Sequence, residues 1–342
     1  MTRPRENRNP TSGKRGAGKL FFLGAAALAL LAAVLFLRYG ARFSGPQAVT
    51  VPLPPTAAAG SGASLPPPAR AARAPAFRVG PLAPAPAPGL SEASAEGPLP
   101  VISADGREAW QVYARPFDRA DTRPRLAIVI SGLGLSNLET KKALAVLPAA
   151  VTLSFLPSAG NTALWLKEAR ETGHETLLDF SLEPSFDPLQ YVGPRTLYTS
   201  LEPAQSLDRL HWVMSRGSGY IGLTTYMGTR FARSPEELRP ILQEMKKRGL
   251  AFFDARTTEE KTAKELGAEL KLPRGFADSI LDTEVSPGAI DAVLSHLEKR
   301  ARDHGSAIGV GSAYPETIDT VARWAKTLHG VVLVPLSAVL VR

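Results

Sequence analysis

The chain has 342 residues, 40 lysines and arginines against 32 acidic residues, and no cysteine. Lacking cysteine, it has no disulfides, thiolate nucleophiles or cysteine metal ligands, so a folded domain must rest on its apolar core. The net charge of +8 is no nucleic-acid signature, because Arg3, Arg5, Arg8, Lys14, Arg15 and Lys19, against Glu6 alone, precede residue 20, and no basic stripe with interleaved aromatics follows.

Leu20–Leu37 runs without a charge or strongly polar group. At about 1.5 Å per residue it reaches roughly 27 Å, enough for a bilayer core. It ends in Leu35-Phe36-Leu37-Arg38-Tyr39, bulky and charged where a cleaved leader needs small residues, so an uncleaved anchor is expected over residues 20–38. The basic tail, residues 1–19, then stays cytoplasmic. The expected location is the bacterial inner membrane, single-pass, with the C-terminal domain periplasmic. Gly13–Lys19 nearly matches a phosphate loop, but no strand precedes it and Leu20 stands where a Ser or Thr would hold magnesium. It is read as a basic membrane flank.

Residues 39–122 read as a disordered Pro/Ala-rich linker. Ser44 to Pro100 holds 14 of the 30 prolines, and Pro81–Gly89 is typical. Such composition favours an extended, semi-rigid stalk. Residues 101–122 read as a transition that packs on the edge of the domain.

From 123 to 342 the composition is that of one globular domain. β-rich runs recur at Leu126–Ile130, Val151–Phe155, Thr176–Phe180, Tyr220–Thr224, Ala251–Asp254, Asp278–Leu281, Ala307–Gly311 and Val331–Pro335. Amphipathic helical patterns fall between most of them, at Leu138–Val146, Ala163–Thr172, Ser206–Ser215, Pro235–Lys247, Ala289–Asp303 and Thr317–Leu328. Ser234-Pro235-Glu236-Glu237 reads as a helix start, and Gly173, Gly249 and Gly305 as helix ends. Trp165, Trp212 and Trp324 sit at apolar-periodic helix positions and read as packing residues. The alternation implies an α/β fold, a (β/α)7–8 barrel, closed or nearly so. In barrels the functional groups stand at the C-terminal ends of the strands.

Those ends read, in order, Ile130-Ser131-Gly132-Leu133-Gly134, Leu178-Asp179-Phe180-Ser181-Leu182-Glu183-Pro184, Thr225-Tyr226-Met227-Gly228-Thr229-Arg230-Phe231, Phe253-Asp254-Ala255-Arg256-Thr257, Leu281-Asp282 and Val310-Gly311-Ser312-Ala313-Tyr314-Pro315-Glu316-Thr317. Across about Arg125 to Val341 this ordered set resembles the divergent polysaccharide deacetylase family. The resemblance implies the deformed β/α barrel of carbohydrate deacetylases, in which an aspartate and two histidines hold one divalent metal that activates water, with a second aspartate as base and a distant histidine as acid.

This chain departs from that pattern at each of these positions. The two aspartates expected in Ile-Asp-Asp-Leu-Gly are Ser131 and Gly132. The expected histidines are Asp179, Tyr226 and Ser312. None of His174, His211, His296, His304 and His329 pairs at a ligand spacing, and each reads as solvated or locally bonded. Glu183, Arg230, Asp254, Arg256 and Asp282 match the family. Two readings of them stay open: an ion-pair network bracing the barrel mouth, or a sugar-binding pocket in which Glu183, Arg230 and Arg256 contact substrate. A third possibility is a rearranged catalytic site of Asp179, Asp254 and Asp282, three carboxylates suited to a hard divalent ion. Thr317 reads as the cap of the last helix, and Met227-Gly228 as a tight loop at the mouth.

The expectation is therefore a membrane-anchored envelope protein, related to cell-wall glycan, with a catalytically degenerate deacetylase domain and no cofactor. Its expected partners are the membrane, through Leu20–Leu37, and an envelope polysaccharide or peptidoglycan. A divalent metal is the alternative that the resemblance implies. An active deacetylase with a carboxylate site, and a periplasmic protein-interaction scaffold, are the competing readings.

Overall fold

The structure, a computed structural model, describes residues 80–185, 193–255 and 261–342. The expected anchor, the basic tail and the part of the expected linker before residue 80 lie outside them, as does Arg256. Among the described residues no helix is long and apolar enough to cross a membrane.

The expected linker does not extend through residues 80–122. Leu82, Leu90, Leu99, Ala109 and Tyr113 are buried there. Strand β1 (Ser91–Glu92) pairs antiparallel with β2 (Leu99–Pro100), and a single helical turn, α1 (Ala109–Val112), follows. Prolines spaced along this arm do not prevent packing, because each leucine between them finds a pocket on the barrel. Arg170 gathers the arm: its guanidinium donates to the carbonyls of Ala83 (2.7 Å), Tyr113 (3.1 Å) and Gly219 (2.9 Å). Arg248 likewise reaches Glu92 (2.8 Å) and the carbonyl of Pro100 (3.0 Å).

The domain proper is a curled parallel sheet wrapped by helices. Its strands are β3 (Arg125–Leu133), β4 (Thr152–Phe155), β5 (Thr176–Leu182), β6 (Gly222–Met227), β7 (Ala251–Asp254), β8 (Arg274–Phe276), β9 (Ser279–Ile280), β10 (Ser306–Ser312) and β11 (Val332–Val334). The helices between them are α2 (Asn137–Val146), α3 (Thr162–Glu171), α4 (Pro203–Met214), α5 (Pro235–Lys247), α6 (Thr262–Glu269), α7 (Pro287–His304) and α8 (Pro315–Trp324). The order around the sheet is β8-β7-β6-β5-β4-β3-β10-β9. β10 covers one edge of β3 from Arg125 to Ser131. The other edge is shared, with β11 on Arg125–Ala127 and β4 on Val129–Leu133.

The expected closure is only partial. Edge strands β8 and β9 do not pair with each other; the chain itself crosses the seam through Ala277 and Asp278. Ala277 N donates to the carbonyl of Asp254 on one side, and Asp278 N to that of Ile308 on the other. Strand β8 and helix α6 were not read in the sequence. Arg274-Gly275-Phe276 is too short to show a period.

Apolar strand residues supply the core: Leu126 to Ile130, Leu153, Phe155, Leu177, Leu178, Phe180, Leu223, Phe252 and Phe253 are essentially inaccessible. Phe180, Phe252 and Phe276 meet edge-on at 6.3 and 6.4 Å. Each such side chain is worth roughly 1.5–3 kcal/mol when buried. Helix α5 begins as its sequence suggests, with Ser234 as N-cap, Pro235 at N1 and two glutamates in the first turn, although the Ser234 hydroxyl makes no capping bond. Gly305 ends α7 in the left-handed region that favours glycine. Trp165 and Trp324 are buried as packing residues, and Trp212 lies half-buried under the Arg216 guanidinium.

Candidate functional site at the barrel mouth

The polar candidates lie toward the C-terminal ends of the strands. β3 presents Ser131, β4 Ser154, β6 Tyr226, β7 Asp254 and β10 Ser312, while Asp282 follows β9. Asp179 is the middle residue of β5 but lies just past the level where the shorter β4 ends, because Leu178 pairs with Phe155.

Asp179 is the centre of this set. It is completely buried. Its Oδ1 accepts from the Ser131 hydroxyl (2.9 Å) and the Ser154 hydroxyl (2.6 Å), and its Oδ2 from Gly132 N (2.9 Å). One carboxylate thereby ties β3, β4 and β5. Burial pushes its pKa up, and the three donors pull it back in part. The Tyr226 phenol is raised too, first by burial, then by the nearby Asp179 carboxylate, with the Tyr314 phenol a lesser neighbour. Asp179, Tyr226 and the half-exposed Tyr314 therefore share one electrostatic neighbourhood. Met227, next along, adopts a positive φ of 62°, and Gly228 follows at 110°. A Cβ on Gly228 would stand 2.3 Å from Leu182 Cβ, so this tight loop requires glycine.

The other candidates are held separately. Asp282 Oδ2 accepts from Ser312 N (2.6 Å) and from the Thr317 hydroxyl (2.8 Å). Thr317 does not cap the last helix as expected: α8 starts two residues earlier, at Pro315, and the hydroxyl locks its first turn onto Asp282. Asp254 is buried and accepts from Thr225 Oγ1 at 3.3 Å. Glu183 binds Thr199 through its backbone N–H and its hydroxyl, both at 2.7 Å. Glu183 also faces Arg230 at 3.5 Å. The Arg230 side chain is 62% exposed, so that pair adds little stability and leaves the guanidinium able to turn to a ligand. Among the described residues no three His, Asp or Glu side chains stand together as metal ligands; Asp179, Asp254 and Asp282 are not gathered around one ion.

Ser154 escaped the sequence reading. A polar residue just before the end of an apolar strand was its only signal. The opposite end of the barrel holds a second buried polar set. Glu175 is fully buried and accepts from Arg115 N (3.0 Å), Thr152 Oγ1 (3.2 Å), Ser337 N (3.0 Å) and the Ser337 hydroxyl. Beside it, His174 Nδ1 lies 2.8 Å from the Val151 carbonyl, and burial lowers its pKa to about 4. His174 is thus locally bonded and remote from the mouth; His211 pairs with Glu244 at 2.7 Å on the helical surface.

A family model described as divergent polysaccharide deacetylase matches residues 128–340, more than half of the chain. The chain belongs to the divergent polysaccharide deacetylase family. The fold is shared with the uncharacterized protein ATU2773 from Agrobacterium tumefaciens C58, at 38% identity and a TM-score of 0.69, covering 71% of this chain and 99% of that one. An uncharacterized protein of Haemophilus influenzae is 25% identical over 195 residues, 57% of this chain and 68% of its own. Protein YibQ of Escherichia coli is 23% identical over 203 residues, 57% of this chain and 60% of its own.

The family implies one divalent metal at the mouth, and the residues at its expected ligand positions do not fit one. Ser131 and Gly132 offer a hydroxyl and a backbone N–H in place of carboxylates. Both are donors, and both point at Asp179. Asp179 stands for a histidine and spends its oxygens on three donors. Tyr226 stands for the second histidine with a phenol whose ionisation is suppressed.

Proposed function

We propose that this divergent polysaccharide deacetylase is a membrane-tethered envelope protein whose barrel mouth binds a cell-wall glycan without deacetylating it. The observation that carries this reading is the Asp179 cluster. Where the family's chemistry needs ligands for a Lewis-acidic ion, this chain has a self-satisfied hydrogen-bonded group. What remains exposed suits binding. Arg230 and Tyr314 offer a charged fork and an aromatic face at the rim, and sugar hydroxyls and ring faces are met by such groups. The apolar run Leu20–Leu37 supports tethering, with the barrel on the side opposite the basic tail.

The test uses the full chain in detergent, incubated with N-acetylated peptidoglycan fragments and with chitin oligomers, with and without added divalent metals. The expected outcome is saturable binding without acetate release, weakened by Arg230→Ala and by Tyr314→Ala. Acetate release that is lost in Asp254→Asn would establish the rearranged carboxylate site instead. Absence of binding to every glycan would overturn the reading.

A further inference from the structure

Two clefts open at the end of the barrel opposite the mouth, where β3 and β10 begin. The first, about 410 Å³, is lined by Asp121, Arg123, Arg125, Gly305, Ser306 and Val339 among others. The second, about 340 Å³, includes Trp110, Arg115, Phe117, Arg119 and Ser337 in its lining. Phe117 links them. The guanidiniums of Arg119, from the second cleft, and Arg125, from the first, lie 5.5 and 5.1 Å from its ring centroid. One aromatic ring thus packs against two cations, one from each cleft.

The acids nearby do not neutralise this end. Arg123 is satisfied by Asp121, whose Oδ1 takes its Nε at 2.9 Å. Arg115 donates to the carbonyl of Gly173 and feels Glu175 behind it. Asp118 turns Oδ1 onto Ala120 N. Asp121 is held ionised first by Arg123 and only lastly by Arg125, whose guanidinium makes no ion pair among the described residues and one long hydrogen bond, 3.4 Å to the Ala338 carbonyl. Arg119 is exposed and makes neither a hydrogen bond nor an ion pair among the described residues. Two guanidiniums therefore lie over one ring beside clefts large enough for a small molecule, with most of their donors uncommitted among the described residues.

We propose that this end of the barrel is a binding site for a phosphate-bearing polyanion, with a diphosphate as its simplest form. Guanidinium forks match phosphate oxygens two at a time, and two forks set around one ring suit a ligand with two anionic groups better than a single monoanion. The same chemistry is carried by soluble diphosphates and by lipid headgroups that bear two phosphates. The site is separate from the mouth and does not depend on the glycan reading.

The experiment is calorimetric titration of the full chain in uncharged detergent with inorganic pyrophosphate, and in parallel with bis(glycerophospho)glycerol, a headgroup probe that carries two phosphodiesters. Saturable pyrophosphate binding that weakens with salt is expected. Arg119→Glu with Arg125→Lys should weaken it at least about tenfold, because the remaining ammonium cannot grip two oxygens in a plane. Arg119→Glu alone, at an exposed position, gives the same direction should the double variant fold poorly. Stronger binding of bis(glycerophospho)glycerol would assign the site to a two-phosphate lipid headgroup, and stronger pyrophosphate binding to a soluble diphosphate. No saturable binding of either probe, or unchanged affinity in Arg119→Glu, would overturn the proposal.

Discussion

A carboxylate at a position where the resemblance implies an imidazole changes what the surrounding groups can do. Asp179 accepts from three donors on two neighbouring strands and cannot release them to an ion without leaving buried polar atoms unpaired. Asp179→Ala should therefore cost about 3 kcal/mol in denaturant unfolding, since three donors and a small void remain. Asp179→Asn keeps the shape with no charge to desolvate and should lose less than about 1 kcal/mol. A second residue-scale outcome follows from His174. Its folded pKa of about 4 lies below the usual value of 6.5, so between these values the unfolded chain binds a proton that the folded chain refuses. Stability should fall as pH drops from 6.5 toward 4, by up to about 3 kcal/mol from this group. Unfolding midpoints measured across that range should show a shallower fall in His174→Gln. Most of these roles were legible in the sequence as departures from a pattern: Ser131, Gly132, Asp179 and Tyr226 stood out because chemistry was missing there. Ser154 and Glu175 were not legible, because their meaning lies in partners 25 and 162 residues distant.

At the scale of elements, strand–helix alternation named most of the sheet, because apolar β-branched runs and amphipathic turns carry their periods openly. Ala251–Asp254 appears with the bounds read from its sequence. Residues 101–122 pack on the domain as expected, but the arm over residues 80–100 was misread for a physical reason. Proline and alanine content reports local backbone preference, while the arm is held by tertiary contacts: Leu90 and Leu99 in the core, and Arg170 and Arg248 gathering its carbonyls. The arm is part of the folded unit, so Leu90→Ala should destabilise the domain by about 2–4 kcal/mol, as for a core leucine. A thermal melt unchanged by that substitution would return the segment to the status of a linker. Closure of the barrel was likewise beyond the sequence, since β8 and β9 are short and separated by two residues that span a seam.

The whole molecule combines a family fold with a mouth in which Ser131, Gly132, Asp179 and Tyr226 stand at the expected ligand positions, and its two ends offer different chemistry: tyrosines, carboxylates and Arg230 at the mouth, arginines over Phe117 at the other end. The central claim is that the mouth holds a hydrogen-bonded cluster in place of a metal. The most direct measurement is elemental analysis of the purified full chain after exposure to Zn²⁺ and removal of excess, paired with calorimetric Zn²⁺ titration. Far less than one equivalent of metal, and no saturable binding abolished by Asp179→Asn, is expected. One tightly held equivalent per chain, lost in Asp179→Asn, would contradict the account.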